Sequence, residues 1–295
     1  MMSVNHNPMD WLRCLIHSAL TRQQNDAITP QASNRQKTCL LLMNGPGLAK
    51  SLAQIEPAAD THLFAVNQFA ETEHFPRLRP AHFLVQDHYF WDPHAQQRFV
   101  ERRDRLFNAL GKSVDWPMSL YIPGRCNRRD WLRKKISNDA IRIVFFHSNY
   151  LRSRHGPFSA AIQSGRLLFS LWQRGWLIPP PENVLIGALY LASRLGYGKI
   201  VIVGADFSFF RELQVDQLNN RVCLEVRHFY GTELRPMHKD KADGEYSTMA
   251  HEMAKWARAF RLFEILSEYL HYRGVEVVNA SHESFIDAFP RGELN

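Results

Sequence analysis

The chain lacks most of the marks that would settle its class at once. Its 295 residues hold four cysteines, Cys14, Cys39, Cys126 and Cys223, with no C-x-x-C pair and no histidine at finger spacing. Neither a disulfide framework nor a structural zinc site is therefore expected. No apolar run approaches the roughly 20 residues that span a bilayer. The stretch from Met1 to Pro30 has no apolar core or small-residue cleavage pattern of a secretory signal, so the expected location is cytoplasmic. Neither G-x-G-x-x-G nor a phosphate-binding P-loop occurs, and no acidic residue follows the second apolar run as a nicotinamide oxidoreductase would require. Internal repeats and low-complexity tracts are missing too.

What is present is ordinary globular material, 45% hydrophobic and 22% charged, enough to bury a sizeable core. The net charge of +7 and pI near 9.3 favour anionic partners. Bases cluster locally at Arg125, Arg128, Arg129, Arg133, Lys134 and Lys135. No RNP, zinc-finger or helix-turn-helix signature accompanies them, so nucleic acid is not the expected partner.

From Asp10 to Leu20, the residues Trp11, Leu12, Leu15, Ile16, Ala19 and Leu20 recur at a helical period, before a polar stretch from Thr21 to Lys37. Residues 1–37 thus read as an N-terminal helix and linker, serving as a brace on the domain or a neighbouring subunit, or as a foot on a membrane. A homo-oligomer and a peripheral membrane contact both stay open.

Residues 38–295 alternate apolar runs with amphipathic segments. Strands are expected at Thr38–Met43, Leu63–Val66, Ala81–Val85, Ile141–Phe146, Lys199–Gly204 and Val275–Asn279. Helices are expected at Ala49–Gln54, His94–Leu110, Asn183–Leu195 and Ser247–Arg273. That alternation describes an α/β fold with a doubly wound, mostly parallel, Rossmann-like sheet. Ligands of such sheets bind beyond the carboxyl ends of the strands, so Asn44, Asn67, Gln86 and Asp206 are expected in one cleft. The polar, mixed-sign region at about 209–246 reads as a loop-rich lid. In Asn44-Gly45-Pro46-Gly47-Leu48, small residues stand where a strand turns into a helix, a place where backbone amides can approach a phosphate.

Asn44-Gly45-Pro46-Gly47-Leu48, followed by Val66-Asn67-Gln68-Phe69, resembles the N-G-P-S-L and C-N-Q-F elements of bacterial lipooligosaccharide sialyltransferases. Gly196 to Phe207 resembles that family's L-G-Y-K-E-I-Y-L-x-G-x-D-F strand. The same elements occur loosely in the motility-associated flagellin glycosyltransferases. The resemblance implies a nucleotide-sugar-binding catalytic domain on a single sheet. Such a domain would move a sugar, sialic acid or a related nonulosonic acid, from a CMP-sugar donor to a glycan acceptor, by inversion and without metal or cofactor. A related donor nucleotide and a non-catalytic nucleotide-binding module are the alternatives.

The family's roles carry over where residues match. Asn44 and Gly45, with Pro46 and Gly47 in the same turn, would meet the nucleotide phosphates and ribose, and Asn67 with Gln68 the donor. Asn183 stands where the family has small hydroxyl residues that grip the donor carboxylate. Ser208 replaces a tyrosine that stabilises the leaving phosphate, for which Tyr230 or Tyr246 would substitute. Gln86-Asp87 replaces an asparagine, leaving Asp87 as a ribose or acceptor contact, and Asp206 closes the third motif. The family's base is a histidine before the last long helix, so the candidates are His228, then His251, then His238. An imidazole titrating near neutrality suits that task.

Overall fold

A computed structural model describes residues 8–22, 24–56, 58–151, 165–228, 231–239 and 245–294, with the backbone alone for residues 8–10, 22, 226–228 and 231–233. The apolar runs become strands because a parallel strand covered on both faces needs apolar side chains pointing both ways. They are β1 (Thr38–Leu42), β2 (Thr61–Val66), β3 (His82–Leu84), β4 (Met118–Pro123), β5 (Ile141–Phe146) and β6 (Lys199–Val203). With β10 (Glu276–Asn279) they form one all-parallel sheet in the order β10-β6-β1-β2-β3-β4-β5. Leu40 of β1 sits in register with Leu63 on one side and Val201 on the other.

One face of the sheet is covered by α6 (Arg166–Gln173), α7 (Val184–Arg194) and α8 (Met249–Tyr272), through a core that includes Trp172, Leu189, Phe263 and Tyr269. The other is covered by α2 (Leu48–Leu52), α3 (His74–Leu78), α4 (Gln97–Ser113) and α5 (Arg129–Ile136), around Phe75, Phe90, Phe107 and Leu132. The chain lays down β1 to β5 in one direction and then returns to add β6 on the far side of β1. The strand order therefore reverses between β1 and β6, which is where such sheets open a crevice.

The N-terminal helix α1 (Pro8–Arg22) braces this body. Trp11 and Cys14 pack against the core, and Ser18 Oγ donates to the Trp176 carbonyl at 2.8 Å. Its opposite face leaves Leu12, Ile16 and Leu20 exposed. Beyond it, Asp26 runs parallel to Phe146: its amide donates to the Phe145 carbonyl (2.8 Å) and its carboxylate accepts from the Phe145 amide (2.7 Å). Arg291 pairs likewise with Asn279 at the opposite edge. No described helix is long and apolar enough to cross a membrane.

Two expectations need correction. The region expected as a loop-rich lid contains a three-stranded antiparallel sheet, β7 (Leu213–Asp216), β8 (Arg221–His228) and β9 (Gly231–Pro236). Its signal is the alternation of Val222, Leu224 and Val226 with Arg221, Glu225 and Arg227, broken at Cys223 and hidden by the overall polarity. Strand β4 and helix α5 also lie where no element was expected; the basic cluster of Arg129 to Lys135 is the outer surface of that helix.

At the amino end of the sheet five side chains from separate segments form a partly buried chain. Lys37 Nζ donates to His62 Nε2 (3.0 Å), and Tyr197 OH lies 2.5 Å from His62 Nδ1 and 2.7 Å from His82 Nε2. Tyr121 OH completes it at 3.2 Å from His82 Nδ1. Lysine can only donate, so a neutral His62 carries its proton on Nδ1 and donates it to Tyr197 OH, whose own hydroxyl proton is then available to His82 Nε2. Burial holds His82 down to about 3, and burial followed by Lys37 lowers His62.

Candidate functional site

At the carboxyl end, the loops after β1, β2, β3 and β6 enclose a cavity of about 430 Å³, within the size range of small-ligand sites. Asn44 and Gly45 reach it from β1, Asn67 and Gln68 from β2, Gln86 and Asp87 from β3, and Asp206 from β6. Asn183 closes it at the start of α7. Pro46, Gly47 and Ser208 are not among its lining residues. Ser208 instead stands at the head of a short 3-10 turn, Phe209–Glu212, whose Phe209 does reach the cavity.

The first turn is closed from within. Gly47 N–H donates to Asp206 Oδ2 at 2.5 Å, Gly45 N–H donates to the Gly204 carbonyl at 2.8 Å, and Leu48 N–H to the Gly45 carbonyl at 3.0 Å. A carboxylate thus occupies the place that the turn was expected to offer a phosphate, and its charge would repel one. The contact demands glycine: a Cβ on Gly45 would stand 2.5 Å from the Gly204 carbonyl and 2.9 Å from the Asp206 carboxyl carbon. Burial pushes the Asp206 carboxyl above the usual carboxylate range, against the pull of the Gly47 amide.

Among the described lining residues of the cavity, two buried acceptors have no donor in the protein, Asp206 Oδ1 and Asn67 Oδ1. Leaving such an atom unpaired costs about 1–3 kcal/mol. Asn67 also holds a left-handed backbone (φ 46°), as does Phe207 (φ 51°) immediately after Asp206. Strain and orphaned polar atoms gathered in one cavity mark it as built for something other than stability. Asn44 meanwhile spends its amide nitrogen on the Val66 carbonyl at 2.9 Å, tying the ends of β1 and β2 together.

Gln86 and Asn183 form a cross-brace. Gln86 Nε2 donates to the Asn183 carbonyl (3.2 Å), and Asn183 Oδ1 caps α7 by accepting from the Leu185 amide (2.8 Å). Gly187, one turn into α7, makes room for Gln86, whose Oε1 would lie 2.0 Å from any Cβ there. The amino end of an apolar helix is thereby aimed at the cavity, with the partial positive charge that such ends carry.

The wall is otherwise acidic, with Asp87, Glu182 and Asp206 against one cation among the described lining residues, Arg102 of α4. Glu182 is paired with Arg258 at 3.6 Å. Arg102 enters with Tyr89 and Phe99, and Tyr89 OH accepts from Gln68 Nε2 at 2.9 Å. These residues escaped the sequence reading because on α4 an arginine among charged neighbours reads as solvent surface. The described residues contain no group of three or more His, Cys, Asp or Glu placed to hold a metal.

No described histidine lines the cavity. His251 sits in the first turn of α8, its amide donating to Thr248 Oγ1 at 3.2 Å. His238 packs against Tyr246 with the rings tilted by 31° and their centroids 4.8 Å apart, and Arg221 lies over the Tyr246 ring at 3.8 Å. His228 is the last residue of β8, paired with Gly231, and not a loop residue as expected; its side chain, with Tyr230, lies outside the described residues.

No protein-family model matches the chain, and no curated protein matches it. Among solved structures it is similar to the Maf glycosyltransferase from Magnetospirillum magneticum AMB-1, with a TM-score of 0.50 and 13% identity. That match covers 95% of this chain but 38% of the other, so the chain spans well under half of its neighbour's length. At so low an identity the likeness is one of architecture: the chain has the α/β fold of that protein's matched part.

Proposed function

We propose that the chain is an inverting glycosyltransferase that moves a sugar, sialic acid or a related nonulosonic acid, from a CMP ester to a glycan acceptor. The observation that carries this reading is the convergence of Asn44, Asn67, Gln86 and Asp206 on one cavity at the switch point, with Asn67 Oδ1 and Asp206 Oδ1 left unpaired. A ligand that completes them must bring hydrogen-bond donors, as ribose hydroxyls and an exocyclic amine do. Arg102 and the amino end of α7 supply the positive charge that a phosphodiester and a sugar carboxylate need. The glycosyltransferase fold of the neighbour supports the class, not the donor.

In the reaction the acceptor hydroxyl oxygen attacks the anomeric carbon while the bond to the phosphate oxygen breaks, and CMP departs with the electron pair. The acceptor proton passes to a base. By resemblance this is a histidine of the 209–246 region or of α8, His228, His251 or His238. One observation favours Asp206 instead: it lines the cavity, has an unpaired oxygen, and its carboxyl is held above the ordinary range by burial.

Titration of the full chain with CMP, CDP, UDP and GDP tests the donor, and incubation with CMP-sialic acid without acceptor tests catalysis. CMP is expected to bind most tightly and the ester to be hydrolysed slowly. A preference for UDP or GDP would move the reading to another nucleotide-sugar, and nucleotide binding without hydrolysis or transfer would leave a non-catalytic module.

A further inference from the structure

A second concavity, of about 630 Å³, opens beyond the carboxyl end of β4, beside the first turn of α5. Arg125, Arg128, Arg129 and Arg133 line it against a single carboxylate, Asp130. Guanidinium groups do not shed their charge at any ordinary pH, so this concentration of like charge is unfavourable until an anion enters. Asp130 offsets part of it through an exposed pair with Arg133 at 3.3 Å. The protein positions the cations with aromatic faces: Arg128 lies 4.2 Å from the Trp131 ring, and Arg129 and Arg133 lie 4.7 and 5.1 Å from the Phe145 ring. Arg129 is already committed, donating to Asn25 Oδ1 (2.7 Å), the Gly124 carbonyl (2.8 Å) and the Gln24 carbonyl, and so pins the linker to the sheet.

The groove abuts the cavity. Arg125 Nη2 donates to the Gln86 carbonyl at 3.3 Å, and Gln86 is part of the cavity wall. A molecule whose reacting hydroxyl enters the cavity can therefore lay a neighbouring anionic group among these arginines.

We propose that this groove binds a phosphate or carboxylate group carried by the acceptor glycan. The anion preference follows from the groove itself; its assignment to an acceptor rests on the transferase reading above. Planar guanidinium forks match both oxyanions. Nucleic acid fits less well, because base binding uses open aromatic faces, and Trp131 has Arg128 at 4.2 Å and Arg103 at 5.0 Å over its ring.

The test is calorimetric titration of the full chain with a neutral disaccharide, the same disaccharide bearing a phosphate monoester, and the same bearing a uronic carboxylate, each at low and physiological salt. Both anionic sugars should bind at least roughly tenfold more tightly than the neutral one, the scale of one charged hydrogen bond, and the gap should shrink with salt. The comparison of phosphate with carboxylate identifies which anion is taken. Arg128→Gln combined with Arg133→Gln should abolish the gap and leave CMP affinity unchanged, while Arg128→Lys with Arg133→Lys should keep part of it. Equal binding of neutral and anionic sugars, or a gap that survives the glutamine pair, overturns the proposal. Tighter binding of single-stranded RNA, lost in the same variant, overturns the glycan assignment. Should the anion gap appear in a protein that binds no CMP, the transferase reading fails while the groove remains an anion site.

Discussion

Arg102 shares the cavity wall with Asp87, Glu182 and Asp206, and the expected handling of a phosphate turns on it. With the Gly47 amide already spent on Asp206, the described wall offers no other cation. Arg102→Ala should weaken CMP binding roughly tenfold, at the low end for a charged hydrogen bond because the side chain is exposed, and leave cytidine binding unchanged. Calorimetric titration of both ligands gives the ratio; an equal loss for CMP and cytidine would remove Arg102 from the phosphate. This residue also shows where the sequence runs silent. Asn44, Asn67, Gln86 and Asp206 were legible because each stands where an apolar run stops. Arg102 lies within a charged helix face, and the partnership of Gly47 with Asp206 spans 159 residues, so neither had a local mark.

Among the elements, the chain from Lys37 through His62, Tyr197 and His82 to Tyr121 links the loop before β1, strands β2, β3 and β4, and the entry to β6. It works only with neutral imidazoles. In the unfolded chain a histidine titrates near 6.5, whereas His82 in the fold is held at about 3. Below pH 6.5 the unfolded state therefore takes up a proton that the native state refuses. Stability is full above that pH and falls as pH drops towards 3, by on the order of 2 kcal/mol at pH 5 from His82 alone. Urea midpoints measured between pH 7 and 5 should show the fall, and His82→Gln should flatten it; an unchanged slope in that variant would place the acid sensitivity elsewhere. Strands that run apolar throughout were readable, since burial on both faces writes itself into composition. Strand β4, with Ser119 inside and Pro123 at its end, and the alternating β8 were not, because polar neighbours dilute the signal in short windows.

For the molecule as a whole, two apolar cores flank one sheet, and the three-stranded unit of β7, β8 and β9 contributes to neither; its buried Val222 and Cys223 stand apart from both. Replacing residues 213–236 with a short Gly-Ser linker should leave the far-ultraviolet spectrum close to native and CMP binding intact, while transfer to an acceptor is lost. Retained transfer would show that the unit is not a working lid, and loss of folding would make it part of the core. The doubly wound order was legible from the alternation of strands and helices. That the presumed lid is itself a sheet was not, since its strands pair only with one another.

The pairing of Asp26 with Phe146 and of Arg291 with Asn279 has a bearing on self-association. An open sheet of seven parallel strands ends in two rows of unfilled backbone groups, the usual template for adding a foreign strand. Here an irregular segment is laid against each outer strand, at β5 and at β10, and each makes only an isolated bridge that cannot propagate into a ladder. The linker before β1 is thus a guard strip as well as a tether. A fragment beginning at Thr38 would bare the β5 edge and leave Arg129 without Asn25, turning a protected border into a seed for edge-to-edge stacking.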